Sequence, residues 1–248
     1  MKKISLLLIS LLGAGAAFSQ EWAPESTEWW SPEPALVKPA KSPGQPPSDA
    51  IILFDGKDLS KWNSDRGGEP TWKIANGEAV TVPGKGGIVT KEYFGDCQLH
   101  VEFKLPKPVK EDAEDLHGQS QGNSGVILMG RYEVQILDPE NNKTYVNGML
   151  GSIYKQTAPL VNPYTKNGEW QVYDIYWKAP QFGTGGVLES PAVITVVLNG
   201  VCIQNNYILK GHTPYTGLPE YSAHGRLPFS LQDHGRAVAF RNIWIRNL

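Results

Sequence analysis

The sequence predicts an all-β protein built as an antiparallel two-sheet sandwich, and three observations support this fold class. Many short segments alternate apolar and polar residues, as strands with one buried face do. Asn-Gly and Pro-Gly pairs separate these segments, and such pairs favour tight turns between strands. No segment carries an apolar repeat of helical period and helix length. About a dozen strands joined in this way indicate two packed sheets within one domain, residues 49–248.

The predicted strands follow one another at short intervals from residue 50 onward. They are residues 50–54, 72–74, 78–82, 88–90, 98–105, 126–129, 132–138, 170–177, 193–198, 201–203, 229–232 and 238–246. The clearest alternation is in residues 98–105, whose apolar side chains share one face while His100 and Glu102 lie on the other. No internal repeat of fixed period is visible, which argues against a propeller or a solenoid.

The first 48 residues differ in composition from the rest of the chain. Residues 1–19 combine a basic start, a short apolar run and a small-residue end. This is the layout of a secretory signal peptide and predicts a secreted or periplasmic protein. Residues 20–48 are rich in Pro and Trp, so we expect an irregular arm that packs along the domain, with a flexible tether as the alternative. No later segment reaches the ~20 apolar residues that a transmembrane helix needs.

Charge and cysteine content limit the partners and the redox chemistry. The formal net charge is −2 and no segment is dense in Lys or Arg, which disfavours nucleic acid and anionic membranes as partners. Cys97 and Cys202 are the two cysteines, and in an oxidising compartment they would form a disulfide or remain buried thiols. The five histidines are scattered and no Cys-x-x-Cys pair occurs, so no metal motif is visible.

The candidate chemistry centres on residues 122–138, GNSGVILMGRYEVQILD, which read as a strand, a tight turn and a returning strand. On the returning strand Glu133 and Gln135 lie side by side on one face, opposite its apolar side chains. With Asp138 they form Glu-x-Gln-x-x-Asp, similar to the Glu-x-Asp-x-x-Glu of sandwich glycosidases. Retaining hydrolysis needs two carboxyl groups about 5 Å apart, so the central amide disfavours it. An inverting pair of Glu102 with Glu133 stays open.

His234 is the second candidate for chemistry. It lies in a polar Asp-His-Gly bend between two predicted strands, and a histidine exposed there titrates near neutral pH. The alternative is a histidine of an ordinary surface turn. For Glu133 and Glu102 the corresponding alternative is a solvated strand residue.

Five motifs, in order along the chain, resemble those of the 3-keto-disaccharide hydrolase family. They are LFDGKDLSKW (53–62), GNSGVILMGRYEVQILD (122–138), GSIY (151–154), VVLNG (196–200) and LQDHGRAVAFRNIWIRNL (231–248). The resemblance covers residues 49–248 and implies a curved jelly-roll sandwich of the concanavalin A-like lectin and glucanase type. It also implies cleavage of glycosides whose sugar carries a ketone at C3. A separate sugar 3-dehydrogenase would then have to supply the oxidised glycoside.

The resemblance also implies roles for individual residues. A C3 ketone acidifies the proton at C2, so that one base removes it, the C1 substituent leaves by β-elimination and water then adds back. Glu133 or His234 would be this base, and the other would be the acid to the leaving oxygen. Gln135, Asn123 and Lys155 would hold the ketone or hydroxyl groups.

Further expectations attach to the same site. Tyr154 would supply a stacking or hydrogen-bonding surface, and Glu102 is a further candidate for substrate binding. A divalent metal ion on the enolate oxygen, with Glu133 and His234 as ligands, is left open. Two other functions also stay open, a carbohydrate-binding sandwich without catalysis and a conventional glycoside hydrolase.

Overall fold

The computed structural model describes residues 22–107 and 118–248, so the predicted signal peptide, residues 1–19, lies outside the described residues. The chain divides into two compact units, Met1–Leu36 and Val37–Leu248. In the first unit the described residues contain one turn of 3-10 helix, at Pro24–Thr27. The packing of this part of the arm stays a prediction. In the described residues no helix is long and apolar enough to cross a membrane.

The second unit consists of short strands joined by turns and loops. In the described residues the strands are β1 (Ile51–Phe54), β2 (Trp62–Ser64), β3 (Lys73–Ala75), β4 (Glu78–Val80), β5 (Ile88–Thr90), β6 (Cys97–Lys104), β7 (Ser124–Leu128), β8 (Tyr132–Ile136), β9 (Trp170–Lys178), β10 (Gln181–Phe182), β11 (Leu188–Ser190), β12 (Val193–Leu198), β13 (Val201–Ile208), β14 (Ser230–Leu231) and β15 (Ala239–Asn247). The alternation in the sequence located most of them. It missed β2, β10 and β11, which have two or three residues and are too short to show a period.

Two sheets pack face to face around one core. The larger sheet has the order β13-β12-β9-β6-β15-β4-β3, with β1 also paired to β15, and the smaller has the order β2-β5-β14-β7-β8. Tyr132 of β8 contacts Trp177 of β9 across the core, with ring centroids 5.1 Å apart. The Tyr173 hydroxyl, also on β9, donates to the Gln135 carbonyl at 2.8 Å. The predicted all-β, antiparallel two-sheet jelly-roll sandwich is confirmed.

The turns between strands follow the chemistry that the sequence predicted. Asn199 and Gly200 join β12 to β13 with φ of 51° and 80°, the left-handed pair that a two-residue hairpin needs. Residues 129–131 join β7 to β8, with φ of 52° at Met129 and 62° at Gly130. A methionine in this conformation is uncommon, and it lies at the turn that orients the start of β8.

Both cysteines are free. Cys97 lies in β6 and is buried in the core. Cys202 lies in β13 and is exposed, so the alternative of two buried thiols is correct only for Cys97. In the order of the larger sheet, β9 and β12 separate the two strands.

The second half of the predicted arm, residues 37–48, belongs to the same unit as the sheets. The Gly44 carbonyl accepts hydrogen bonds from Asn242 Nδ2 at 2.8 Å and from Trp244 Nε1 at 3.0 Å. Both donors belong to β15, so this segment of the arm lies on the outer side of the larger sheet, away from the smaller one.

Candidate active site

A cleft with a volume of about 1050 Å³ lies on the outer face of the smaller sheet. β7 and β8 supply its floor, and residues between β13 and β15 supply further walls. The described residues that line it are Gln119, Ser120, Asn123, Ile127, Met129, Gly130, Arg131, Glu133, Gln135, Tyr154, His212, Thr213, Tyr215, Leu227, Pro228, Gln232 and His234. A cleft of this size matches the upper end of the roughly 300–1000 Å³ that small-molecule sites occupy.

Backbone hydrogen bonds on both sides of β8 fix the position of Glu133. On one side β8 pairs with β7, and on the other the Tyr154 amide donates to the Glu133 carbonyl at 3.1 Å. The Glu133 amide in turn donates to the Thr213 hydroxyl at 3.0 Å. Because both edges are paired, the backbone holds the Glu133 side chain on the outer face of the sheet, as the alternation predicted.

Glu133 is buried, with 9% of the residue exposed. Its carboxyl group has no ion-pair partner among the described residues. Burial raises the pKa of Glu133 to about 7. The neighbouring strand leaves room for it at Gly125, where an added Cβ would lie 2.5 Å from Glu133 Oε1. The Glu133 carboxyl group therefore exchanges a proton near neutral pH. It packs against the backbone of Gly125, which has no side chain.

Three amide side chains surround the same cleft and leave acceptors unused. Gln135 donates through Nε2 to Gln119 Oε1 at 2.9 Å, and Asn123 donates through Nδ2 to the Gln119 carbonyl at 2.6 Å. The side-chain oxygens of Asn123, Gln135 and Gln232 are buried without a hydrogen-bond partner among the described protein atoms. An unpaired buried acceptor costs about 1–3 kcal/mol, so each of these side chains would gain by turning its oxygen toward a donor in the cleft.

Two histidines line the cleft. His234 lies exposed in the bend before β15, which Asp233 anchors by accepting from the Gly235 amide at 2.8 Å and the Gly86 amide at 3.0 Å. His212 has its Nδ1 2.6 Å from the Glu220 carbonyl. That contact assigns the proton to Nδ1 and leaves Nε2 of His212 available as an acceptor. Both are candidate acid or base groups beside Glu133.

The structure brings five of the seven predicted site residues together: Glu133, Gln135, Asn123, Tyr154 and His234 all line the cleft. The Tyr154 hydroxyl lies 2.8 Å from that of Tyr145, and burial, followed by this hydrogen bond, raises the pKa of Tyr154. Lys155 does not line the cleft. Its Nζ donates to the Tyr215 carbonyl, so the ammonium group orders a neighbouring loop instead of pointing at Glu133.

Glu102 lies on the far side of the molecule from the cleft. It belongs to β6 of the larger sheet, whose apolar face contacts the core, so its polar face points outward. Arg241 Nε donates to Glu102 Oε2 at 2.5 Å and Asn242 Nδ2 donates to Oε1 at 2.7 Å. Burial acts to raise the pKa of Glu102, but hydrogen bonds from His100, Asn242 and Arg241 outweigh it and hold the pKa at about 2. The core separates Glu102 from Glu133, so these two do not form an inverting pair.

Within residues 22–107 and 118–248, no three His, Cys, Asp or Glu side chains converge in a way that would hold a metal ion. Glu133 is the one carboxylate among the described residues that line the cleft. Asp138, the third member of the sequence pattern, accepts from Gln121 and Asn167 at 3.0 and 2.7 Å and is structural. The described part of the cleft therefore offers no complete set of metal ligands.

Several cleft residues were not predicted from the sequence: Gln119, Arg131, His212, Thr213, Tyr215 and Gln232. Most of them lie in loops, where no periodic pattern relates a residue to a face. The position of Gln232 could have been predicted. It follows the buried Leu231 at the end of β14 and so faces outward, as Glu133 does beside its apolar neighbours on β8.

A sequence profile of the family described as 3-keto-alpha-glucoside-1,2-lyase-like domain matches residues 49–246. The chain belongs to this family. The resemblance seen in its motifs is thereby confirmed. A solved structure of a proposed glycosyl hydrolase from Parabacteroides distasonis ATCC 8503 is 45% identical to this chain. Its TM-score is 0.84 over 91% of this chain and 97% of that chain.

Two more distant structures share the fold. Both are proposed glycosyl hydrolases of the same organism, at 20% and 23% identity and with TM-scores of 0.60 and 0.58. The matches cover 81% and 80% of this chain and 94% and 99% of those chains, and at this identity they show the fold alone. No curated protein matches the chain.

Proposed function

We propose that this protein cleaves 3-keto-glycosides by removing the proton at C2 and eliminating the substituent at C1. The observation that carries the proposal is a single buried carboxyl group in the cleft, Glu133, with a pKa of about 7 and no second carboxylate beside it among the described residues. Conventional glycosidases need two carboxyl groups across the scissile bond, whereas elimination next to a ketone needs one base. The family and the glycosyl hydrolase at 45% identity support a sugar substrate.

The proposed reaction has two stages. In the first, the Glu133 carboxylate takes the C2 proton, the electron pair of that C–H bond forms an enolate with the C3 carbonyl, and the C1–O bond then breaks as a C1=C2 double bond forms. His234 gives a proton to the leaving oxygen. In the second, water adds at C1 and a proton returns to C2, so the net reaction is hydrolysis of the glycoside.

The amide side chains give the cleft its affinity for a hydroxyl-rich ring. When their side chains turn toward the cleft, the buried oxygens of Asn123, Gln135 and Gln232 accept hydrogen bonds that sugar hydroxyl groups donate. Binding would give partners to acceptors that are unpaired in the free protein, which makes the exchange favourable despite the loss of hydration. The same groups would orient C2 of the ring toward Glu133.

A direct test compares a 3-keto-glucoside with its unoxidised parent, each incubated with purified protein with and without a chelator. We expect release of the leaving group from the oxidised substrate alone. Release from the unoxidised parent would indicate a conventional glycoside hydrolase, and binding without turnover of either would indicate a carbohydrate-binding module. Loss of turnover in chelator would show that a metal ion contributes.

The dependence of kcat/KM on pH should report Glu133. Since burial raises its pKa to about 7, the carboxylate that acts as base is present above that pH, and activity should rise through it. We expect kcat/KM for the 4-nitrophenyl 3-keto-glucoside, whose leaving group needs no acid, to increase about tenfold from pH 6 to a plateau above pH 7, after subtraction of the rate without enzyme. A profile that is flat between pH 5 and pH 8 would contradict the role of Glu133.

Gly125 should be required for the geometry of the base. In Gly125→Ala the new Cβ would overlap Glu133 Oε1, so the carboxyl group must move. We expect a loss of about tenfold in turnover without loss of the folded state, because a displacement of about 1 Å is enough to slow a positioned reaction. Gly225→Ala is the matched control, since its Cβ would meet no atom within 4 Å. Equal activity of the two variants would contradict this assignment.

We also propose that the protein is secreted or periplasmic through residues 1–19 and that a separate sugar 3-dehydrogenase supplies its substrate. The oxidation state of the substrate requires such an enzyme, because the proposed reaction neither creates nor consumes the ketone. A fusion of residues 1–19 to a reporter enzyme tests export. Retention of the reporter in the cytoplasm would argue against it.

A further inference from the structure

Three tyrosines form a wall at one side of the cleft. Tyr154 and Tyr215 both line the cleft with Glu133, and the Tyr154 amide is bonded to the Glu133 carbonyl. Tyr145 lies behind Tyr154, with the two hydroxyl groups 2.8 Å apart. Tyr215 is 76% exposed, so its ring presents an aromatic face to solvent at the mouth of the cleft. We call these three residues the tyrosine wall.

Lys155 holds the tyrosine wall together. Its Nζ lies 4.5 Å from the ring centroid of Tyr215 and 5.7 Å from those of Tyr145 and Tyr154, and it donates to the Tyr215 carbonyl. A cation over aromatic faces is attracted to all three rings. Lys155 itself has φ of 58°, a conformation that non-glycine residues rarely adopt and that persists only where surrounding contacts impose it. One residue thus connects the segment after β8 to the loop that carries Tyr215.

We propose that the tyrosine wall is the subsite for the leaving sugar of a disaccharide substrate, with the exposed ring of Tyr215 stacked on that sugar. This proposal rests on the proposed function. C1, which bears the leaving group, is bonded to C2, on which Glu133 acts, so the leaving sugar must lie directly beside Glu133. The tyrosine wall borders Glu133, because the Tyr154 amide is bonded to the Glu133 carbonyl and Tyr154 and Tyr215 line the cleft with it. The cleft volume of about 1050 Å³ also exceeds what one sugar ring fills.

The chemistry of the wall favours a neutral sugar. A pyranose ring has an apolar face of C–H groups that an aromatic ring covers, while its hydroxyl groups reach the solvent at the rim. The hydroxyl groups of Tyr145 and Tyr154 add donors and acceptors beside that face. The Lys155 ammonium is occupied by the Tyr215 carbonyl and the three rings, so it offers no free ion pair to an acidic group.

The test compares two substrates with the same reacting ring, a 3-keto-disaccharide of two glucose units and methyl 3-keto-glucoside. In Tyr215→Ala we expect the ratio of kcat/KM for the disaccharide to that for the methyl glycoside to fall about fivefold. Tyr93→Ala is the matched control, because Tyr93 is also exposed but does not line the cleft. The ratio of the two kcat/KM values in Tyr93→Ala should equal that of the wild type. Equal losses on both substrates in Tyr215→Ala would overturn the subsite.

A binding measurement separates failure of the subsite from failure of the proposed function. If the wild-type protein turns over neither substrate, the proposed function is contradicted, and calorimetry with the unoxidised disaccharide still tests the wall. Tyr215→Ala should weaken the Kd for that disaccharide about fivefold, and Tyr93→Ala should leave it unchanged. The same Kd in the wild-type protein and in Tyr215→Ala would overturn the proposal.

Lys155 is a positioning residue in this proposal, because it acts through Tyr215. Lys155→Met, like Tyr215→Ala, should lower the ratio of kcat/KM for the disaccharide to that for the methyl glycoside. Lys155→Arg should restore this ratio in part. The double variant should have the same ratio as Tyr215→Ala alone, since residues that act as one unit are not additive. An independent further loss in the double variant would show that Lys155 does not act through Tyr215.

Discussion

Glu133→Gln should lower turnover of a 3-keto-glucoside by ~10² or more, because the amide cannot take the C2 proton. The substitution keeps the size of the side chain, so the space over Gly125 and the backbone pairing of β8 should be unchanged. The measurement is kcat at saturating substrate, at a pH above 7. Turnover at the wild-type rate would remove Glu133 from the mechanism.

The same variant should be more stable than the wild-type protein at alkaline pH. Burial raises the pKa of Glu133 from 4.5 to about 7, so the folded protein binds this proton more tightly than the unfolded chain. The resulting stability is fully present below pH 4.5 and is lost as pH rises through 7, amounting to about 3 kcal/mol by pH 8. Glu133→Gln avoids this loss. We expect its free energy of unfolding to exceed that of the wild type by about 3 kcal/mol at pH 8 and to match it at pH 4.

Glu102→Gln is the matched control, and its effect on the free energy of unfolding at pH 8 should have the opposite sign. Its pKa is held at about 2, so its stability is present above pH 4.5 and is lost as pH falls toward 2. Removing that charge should destabilise the protein by about 3 kcal/mol at pH 8, with turnover close to the wild-type value. Chemical denaturation of both variants at pH 4 and pH 8 gives the comparison. A stability loss in Glu133→Gln at pH 8 would show that its carboxylate has a stabilising partner.

The contrast between these two glutamates shows what could be predicted from the sequence. Alternation correctly placed Glu102 and Glu133 on the outer faces of their strands, opposite apolar neighbours that lie in the core. A sandwich has two outer faces, however, and the period of a strand does not say which sheet the strand joins. β6 pairs with β9 and β15 in the larger sheet, while β8 pairs with β7 in the smaller. These long-range pairings decide that one glutamate lines the cleft and the other does not.

The loops explain why the rest of the site was not predicted. His212, Thr213 and Tyr215 belong to residues 205–227, where the sequence shows no alternation. Their positions depend on contacts with distant segments, such as the bond between Thr213 and the Glu133 amide. Lys155 is a case of the same kind, because its left-handed backbone turns it toward Tyr215. Residues in the motif-bearing strands and bends, such as Asn123, Gln135 and His234, line the cleft together, because a strand or turn defines their direction.

His234→Ala should lower turnover by ~10² for a substrate whose leaving group is an alkyl alcohol, if His234 protonates the leaving oxygen. An alkoxide is a poor leaving group, so it requires the proton, whereas a nitrophenolate leaves without one. We therefore expect a loss below about fivefold for the 4-nitrophenyl 3-keto-glucoside in the same variant. His234 is exposed, so the free energy of unfolding should change by less than about 0.5 kcal/mol.

The dependence on the leaving group distinguishes His234 from the other histidine of the cleft. The Nδ1 of His212 is bonded to the Glu220 carbonyl. The ring of His234 has no such partner among the described residues, so this ring is free to turn an N–H group toward a leaving oxygen. If His212→Ala shows the loss that depends on the leaving group and His234→Ala does not, the acid is His212 and the prediction is contradicted. If His234→Ala slows both substrates equally, His234 positions the sugar or acts on C2. Only selective loss with the alkyl leaving group supports the division in which Glu133 takes the C2 proton and His234 supplies one to the departing oxygen.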